Sequence, residues 1–191
     1  MKRTVLFVLG VLAVSMIAVA QPAQPAQPAP PADDTFDQAL SPAPRQLREG
    51  ATVIKWKPDH TYDTLKKGSN RLVCYDQSGL PSEQPFSAQC TSIANLERVA
   101  QNRKFETIAD RKERQAAIDA AEKDGSRIKP EFASVFYTLS GADRATARMH
   151  VTIAVPGATA QSLGIPDNNK MGGVWIMNAG TSGAHLMTPG S

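Results

Sequence analysis

The last strand pair of the chain constrains its fold more than any other segment. Two short apolar runs, 172–177 and 184–187, flank a turn-rich segment at 178–183. Gly and Asn in this segment supply the positive φ angles that a chain reversal needs, so the pattern predicts two strands joined by a hairpin-like loop, which we take as the organising element of the sheet. Neighbours such as Trp175 and Ile176 point to opposite faces, and neither face is polar. Both faces therefore need cover from a helix, another sheet or a ligand.

One face of this strand pair is the best candidate for a binding site. It presents Trp175, Met177, His185 and Met187. An aromatic ring, two thioethers and an imidazole suit an apolar or flat ligand, or the hydrophobic surface of another envelope protein. Packing in a core against an alanine-rich helix explains the same residues without a ligand. A half-exposed His185 among polar groups would favour a site, and a sealed His185 would favour a core.

The first twenty residues have the pattern of a secretory signal peptide. Lys2 and Arg3 precede an apolar run over 5–17, and a small-x-small cleavage motif ends at Ala20. The apolar run is shorter than the roughly 20 residues that span a bilayer, so we expect cleavage and no transmembrane segment in the mature chain. The predicted location is the periplasm or the outside of the cell. Cleavage would remove two of the 21 basic residues, so the basic residues of the mature chain would nearly balance its 18 acidic residues. This balance does not favour nucleic-acid binding.

The remaining chain divides into a tether and one domain. From residue 21 the composition is dominated by Pro, Ala and Gln, which predicts an extended tether over 21–40 and a single domain over 41–191. Strand patterns lie at both ends of the domain and helical patterns lie between them. This order predicts an α+β fold, with an antiparallel sheet of about five to seven strands and one or two helices packed on one side.

Two internal segments connect the predicted strands. The charged, alanine-rich segment 110–123 predicts a helix that is capped by Thr107 and ends at Gly125. Its narrow stripe of Ala and Ile suits packing against the sheet. Segment 77–89 contains one glycine and two prolines and predicts a loop.

The two cysteines, Cys74 and Cys90, predict a disulfide. An even pair in an exported chain is typical of a structural bridge, whereas a redox-active pair would prefer the short Cys-x-x-Cys spacing that lowers one thiol pKa. We expect this bridge to clamp the ends of the predicted loop and to fix how the helices dock on the sheet.

Catalytic motifs are absent from the sequence. It contains no Gly-x-Ser-x-Gly elbow, His-Glu-x-x-His helix, phosphate-binding glycine loop or Cys-x-x-Cys knuckle. We therefore assign no catalytic residue, no metal ligand and no cofactor. A small hydrolase-like enzyme that uses His185 with Asp167 or Tyr137 is the alternative, although the sequence identifies no nucleophile for it.

A copper-binding protein is a second alternative. His150 and His185 both fall on predicted strands, and each has a methionine nearby, Met149 and Met187. Imidazole and thioether are the ligands that soft copper favours. Two strand histidines without a third ligand in register are more simply explained as buried, hydrogen-bonded side chains.

Several segments of the domain share a pattern with one protein family. They are Arg-x-Gly-Ala-Thr-Val at 48–53, Asn-x-Leu-Val-Cys at 70–74, Phe-Ser at 86–87 with Cys90, Tyr-x-Leu-Ser-Gly at 137–141, Val-Pro-x-Ala-Thr-Ala-x-Ser-x-Gly-Ile-Pro at 155–166, and Trp-Ile-Met-x-x-Gly-Thr-x-x-Ala-His-x-Met at 175–187. Together they resemble a family of uncharacterised exported bacterial proteins. The resemblance implies a signal peptide and a charged helix after the second cysteine, and it implies no activity. Gly157 departs from the family pattern, which has an aromatic residue there, and Asn178-Ala179 stands in place of Asp-Pro.

These observations favour one functional class. The sequence predicts an exported protein that acts as a non-catalytic binding or structural module of the bacterial envelope. Its partner would be a small apolar ligand or another envelope protein.

Overall fold

The computed structural model describes residues 32–188, with side chains from Thr35 onward. The predicted signal peptide and residues 21–31 of the tether lie outside the described residues. The fold is α+β, as the sequence predicts. Its strands are β1 (Thr52–Trp56), β2 (Tyr62–Lys66), β3 (Leu72–Asp76), β4 (Phe86–Ser92), β5 (Val135–Gly141), β6 (Arg148–Ala154), β7 (Trp175–Met177) and β8 (His185–Met187).

All eight described strands form one mixed sheet in the order β2-β1-β3-β4-β5-β6-β8-β7. The β1–β3 pair is parallel and the other neighbouring pairs are antiparallel. The sheet is larger than predicted because β4, whose first residues we assigned to a loop, lies near its centre. The sequence of β4 has few β-branched residues, so its strand character comes from pairing on both sides. The β7–β8 pair, which we took as the organising element, lies at one edge of the sheet.

Helices lie on both faces of the sheet, so the prediction of helices on one side is wrong. The described helices are α1 (Ala32–Leu40), α2 (Arg45–Arg48), α3 (Leu96–Glu106), α4 (Arg111–Asp124) and α5 (Ala160–Leu163). Strand β3 has apolar residues on both of its faces. Val73 packs under Val99 of α3 on one face, and Leu72 packs near Leu40 of α1 on the other. A strand that is buried on both faces needs cover on both. None of the helices in the 32–188 range is long and apolar enough to cross a membrane.

The first helix occupies residues that we predicted to be tether. Ala39 of α1 is 2% exposed, and Leu40 packs against the cluster that contains Cys74 and Cys90. The low-complexity composition ends before this segment, and its apolar residues find cover on the sheet. Residues before position 41 therefore also pack on the sheet.

The boundaries of α4 follow local capping rules. Asp110 is its N-cap and accepts hydrogen bonds from the backbone N–H groups of Lys112 and Glu113 at 2.8 and 2.9 Å. Gly125 ends the helix with a φ of 79°, as predicted. Thr107, which we expected to begin this helix, instead ends α3.

The predicted disulfide between Cys74 and Cys90 is present. The two cysteines face each other as direct cross-strand partners in β3 and β4, with their Cα atoms 4.1 Å apart. Both are fully buried on the α1 side of the sheet. The bridge therefore joins two strands that already pair, and it does not fix the docking of α3 and α4, which lie on the other face.

We expect reduction of the bridge to weaken the fold without abolishing it. A closed loop of about 16 residues contributes about 3 kcal/mol in the chain-entropy model, which is part of a typical domain stability of about 5–15 kcal/mol. Urea unfolding with and without reductant measures this loss, and a Cys74→Ala/Cys90→Ala variant is the control that should not respond to reductant. An unchanged midpoint after reduction of the parent would contradict the expectation.

Candidate functional site

A cleft of about 480 Å³ separates α4 from the sheet. Gln115, Ile118, Asp119 and Glu122 line its helical wall, and their spacing places them on one face of α4. Only Ala121 of this helix is buried. The sequence predicts that α4 packs on the sheet, and this is wrong because the face that it turns toward the strands is largely polar.

The floor of the cleft is a polar face of the sheet. Gln89, Thr138 and His150 are cross-strand neighbours on β4, β5 and β6. The Tyr75 hydroxyl donates to Gln89 Oε1 at 2.6 Å, and Gln89 Nε2 donates to Thr138 Oγ1 at 2.8 Å. Sheet residues under a helix are normally apolar, so the hydrogen-bonded polar row under α4 shows that this part of the sheet does not form a packed apolar core with the helix.

His185 lies in the wall of this cleft. It is half-buried, and its Nδ1 lies 2.8 Å from the carbonyl oxygen of Gly183. Because a carbonyl only accepts, Nδ1 carries the proton and Nε2 is an acceptor in the neutral ring. Burial lowers the pKa of His185, the nearby His150 adds to this, and the Gly183 carbonyl opposes it. His185 therefore favours the neutral form at pH 7.

The four predicted binding residues share one face of the sheet. Trp175 pairs with Met187, and Met177 pairs with His185. Of these four, His185 lines the cleft, whereas the other three are half-buried closer to the edge of the sheet. The placement of His185 among polar groups is the arrangement that favours a site.

A buried hydrogen-bond network closes one end of the cleft. Arg98, which is 7% exposed, donates through Nη1 to Ser182 Oγ at 2.8 Å and to the carbonyl of Ile128. Ser182 in turn donates its hydroxyl to Glu122 Oε1 and its backbone N–H to Glu122 Oε2 at 3.1 Å. Burial lowers the pKa of Arg98 to about 10, with a contribution from Arg127, so this guanidinium remains charged at pH 7. The network ties α3, α4 and the loop between β7 and β8 together.

A smaller cavity of about 290 Å³ adjoins the cleft and shares Arg127 with it. Arg127 donates to Gln101 Oε1 at 2.7 Å and to Asn102 Oδ1 at 2.6 Å. Glu106 lines this cavity, and burial raises its pKa to about 7, helped by the negative charge of Glu83. Nearby guanidinium groups oppose this shift.

The fold separates some of the residues that the copper and enzyme alternatives would use. The side chain of Met149 lies on the opposite face of β6 from that of His150, because successive residues of a strand alternate between the two faces. Tyr137 packs on the α1 side of the sheet, away from His185, and Asp167 is exposed in a turn. Within residues 32–188, no three His, Cys, Asp or Glu side chains are placed to hold a metal ion together.

The sequence analysis missed most residues of the cleft. Arg98, Glu122 and Ser182 carry no motif, and their interaction joins residues up to 84 positions apart. One signal was available: His150 and Thr152 are polar and alternate with Val151 and Ile153, which indicates a strand with one polar face.

Comparison with known proteins does not assign the chain to a group. A scan against protein-family models, a search of curated proteins and a search of solved structures each found no match.

We expect Glu122→Gln to loosen α4. Hydrogen bonds to a charged group are stronger than neutral ones, so the weaker bonds to Ser182 should cost about 1 kcal/mol of local stability. Hydrogen exchange of the α4 amides measures this opening. Asp119→Asn is the matched control, since Asp119 lies on the same face and its bond to Gln115 stays within the helix. Equal exchange in both variants would contradict the anchoring role.

We expect the stability of the protein to depend on the protonation of Glu106. The pKa of Glu106 is raised from 4.5 to about 7 in the folded state. Its contribution to the free energy of unfolding is therefore fully present at a pH well below 4.5, where the carboxyl is protonated in both the folded and the unfolded state. As the pH rises from about 4.5 to 7 the unfolded carboxyl ionises first, and about 3 kcal/mol of this contribution is lost.

Urea unfolding of Glu106→Gln across this range tests the dependence. The variant should gain stability relative to the parent as the pH rises, and the gain should level off above pH 7. Glu97→Gln, at an exposed position on α3, is the control and should show no such gain. A difference between Glu106→Gln and the parent that does not change with pH would refute the expectation.

Proposed function

We propose that this protein is an exported, non-catalytic binding module that holds a small molecule in the cleft between α4 and the sheet. The observation that carries the proposal is the polar floor beneath a helix. The side chains of Gln89, Thr138 and His150 would be apolar if this layer were a packed core. The volume of about 480 Å³ lies within the range of small-molecule sites.

The chemistry of the lining supports binding and gives no support to catalysis. Phe136, Ile118 and Pro130 offer apolar contacts, while His185 presents Nε2 as a hydrogen-bond acceptor for the ligand. Ser182 has a hydroxyl that contacts a carboxylate, but this hydroxyl already accepts from Arg98 and donates to Glu122. A nucleophile needs a base that accepts its proton and an approach path for the substrate, and Ser182 is 6% exposed.

Export fits the remaining features. A buried disulfide persists in oxidising compartments, and the N-terminal pattern predicts a signal peptide. The resemblance to exported bacterial proteins points in the same direction. The envelope is therefore where we expect the ligand to be met.

We expect a residue that fills the cleft to abolish ligand retention. Thr152→Tyr places an aromatic ring on the floor between the two histidines, and tyrosine suits a strand. The mature protein is incubated with a small-molecule extract of the producing cells, desalted and examined by native mass spectrometry. Thr64→Tyr on the exposed β2 is the control.

The parent and Thr64→Tyr should carry a bound mass that Thr152→Tyr lacks, while all three show the same cooperative unfolding. A bound mass that persists in Thr152→Tyr would place the ligand elsewhere, and a parent that retains none would contradict the proposed function.

A further inference from the structure

Arg98 is a buried cation without a carboxylate in direct contact. Its described hydrogen-bond partners, Ser182 Oγ and the Ile128 carbonyl, are both neutral, and it forms no ion pair within the described part of the chain. Glu122 reaches it only through the Ser182 hydroxyl. Buried charges are normally paired, because desolvation of an unpaired ion is costly. The surroundings of Arg98 therefore favour a further anion.

The second guanidinium at the cleft does not offer the same opportunity. Both terminal nitrogens of Arg127 are already bonded to the side chains of Gln101 and Asn102, and its Nε is sealed from solvent. In contrast, Arg98 Nη2 makes no hydrogen bond to any described residue, and Arg98 lines the cleft. Arg98 is thus the guanidinium that a ligand can reach.

The free nitrogen of Arg98 lies beside Gly183, at a distance that leaves room for one Cβ atom, and both residues line the cleft. A Cβ atom built on this glycine would lie 3.5 Å from Arg98 Nη2, 3.6 Å from Thr181 Oγ1 and 3.9 Å from Asn178 Nδ2. The Thr181 hydroxyl is already used, since it donates to the carbonyl of Asn178 and accepts from the N–H of Gly183. Two side-chain donors, one of them charged, therefore converge on one point in the cleft wall.

The backbone holds these donors in place. Asn178 has a φ of 54°, a left-handed conformation that Asn adopts more readily than most residues. The loop from Asn178 to Gly183 is braced by the Thr181 bonds and by the Ser182–Glu122 contact. A donor pair on a braced loop is preorganised for a ligand.

We propose that the cleft recognises the carboxylate of a small organic acid, with its oxygens held over Gly183 by Arg98 Nη2 and Asn178 Nδ2. A carboxylate accepts a charge-assisted hydrogen bond from each donor and supplies the counter-charge that Arg98 lacks. The apolar part of the acid lies toward Phe136 and Ile118. This inference rests on the proposed binding function and specifies its ligand class.

The test is a titration of the ¹⁵N-labelled mature protein, followed by NMR, with benzoate and with its neutral counterpart benzamide. Benzoate should shift the amide signals of residues 178–183 in a saturable way and bind at least about tenfold more tightly than benzamide. Inorganic phosphate serves as a third probe. Equal binding of benzoate and benzamide in the cleft would overturn carboxylate recognition and leave the binding function intact, and tighter binding of phosphate would overturn the carboxylate assignment. Absence of cleft shifts with all three probes would contradict both.

Two variants test whether benzoate binds at the position beside Gly183. Gly183→Ala fills the space at ordinary van der Waals distances, and the φ of Gly183 lies outside the left-handed region, so the fold should be retained. Asn178→Asp replaces a donor by a negative charge at a φ that Asp also tolerates. Each should weaken benzoate binding at least about tenfold, and Asn178→Asp should leave benzamide binding within about twofold because benzamide carries no charge for the new carboxylate to repel. Ala179→Ser, which adds one heavy atom at an exposed position of the same loop, is the control, and unchanged benzoate affinity in both variants would overturn the proposal.

Discussion

A guanidinium buried between a helix and a sheet requires hydrogen-bond acceptors, and Arg98 finds them in parts of the chain that are far apart in sequence. Its Nη1 joins α3 to the Ile128 carbonyl and to Ser182 in the loop before β8. Ser182 passes the connection on to Glu122 of α4. Because α4 has a single buried residue, these polar contacts carry much of its attachment. The cleft exists because the helix is anchored at one end and is not packed along its length.

The distribution of polarity across the sheet explains why the cleft is open. On β5 and β6 the residues that face α4 include Thr138, His150 and Thr152, whereas Val151 and Ile153 face the other way. The hydrophobic effect therefore gives α4 little reason to close onto these strands. On β1 and β3 the opposite holds, since apolar residues there pack against α3 in a continuous core. One helical layer thus has two parts, α3, which packs against an apolar core, and α4, which lies over the cleft.

The helical layer contains two buried guanidinium groups, those of Arg98 and Arg127. Arg98 and Arg127 donate their hydrogen bonds to neutral acceptors, and the carboxylate of Glu122 reaches Arg98 only through Ser182. His185 adds a neutral imidazole, since burial lowers its pKa. An anionic group that enters the cleft would meet donors without first displacing an ion pair.

The sequence by itself determined the features that depend on neighbours along the chain. Alternation of side chains predicts most strands and the shared face of Trp175, Met177, His185 and Met187, because successive residues of a strand point to opposite faces. Gly125 ends α4 because it tolerates a positive φ, and the even pair of cysteines predicts the disulfide that the structure contains.

Tertiary structure alone decided the order of the strands, the strand character of β4, the helices on both faces and the composition of the cleft. Pairing on both sides makes β4 a strand despite its weak propensity, and cover by the sheet makes α1 part of the domain. The contacts of Arg98 with Ser182, and of Ser182 with Glu122, join residues 84 and 60 positions apart. Local propensities act over a few residues, so the position of a buried charge and its partners is fixed only when the whole chain has folded.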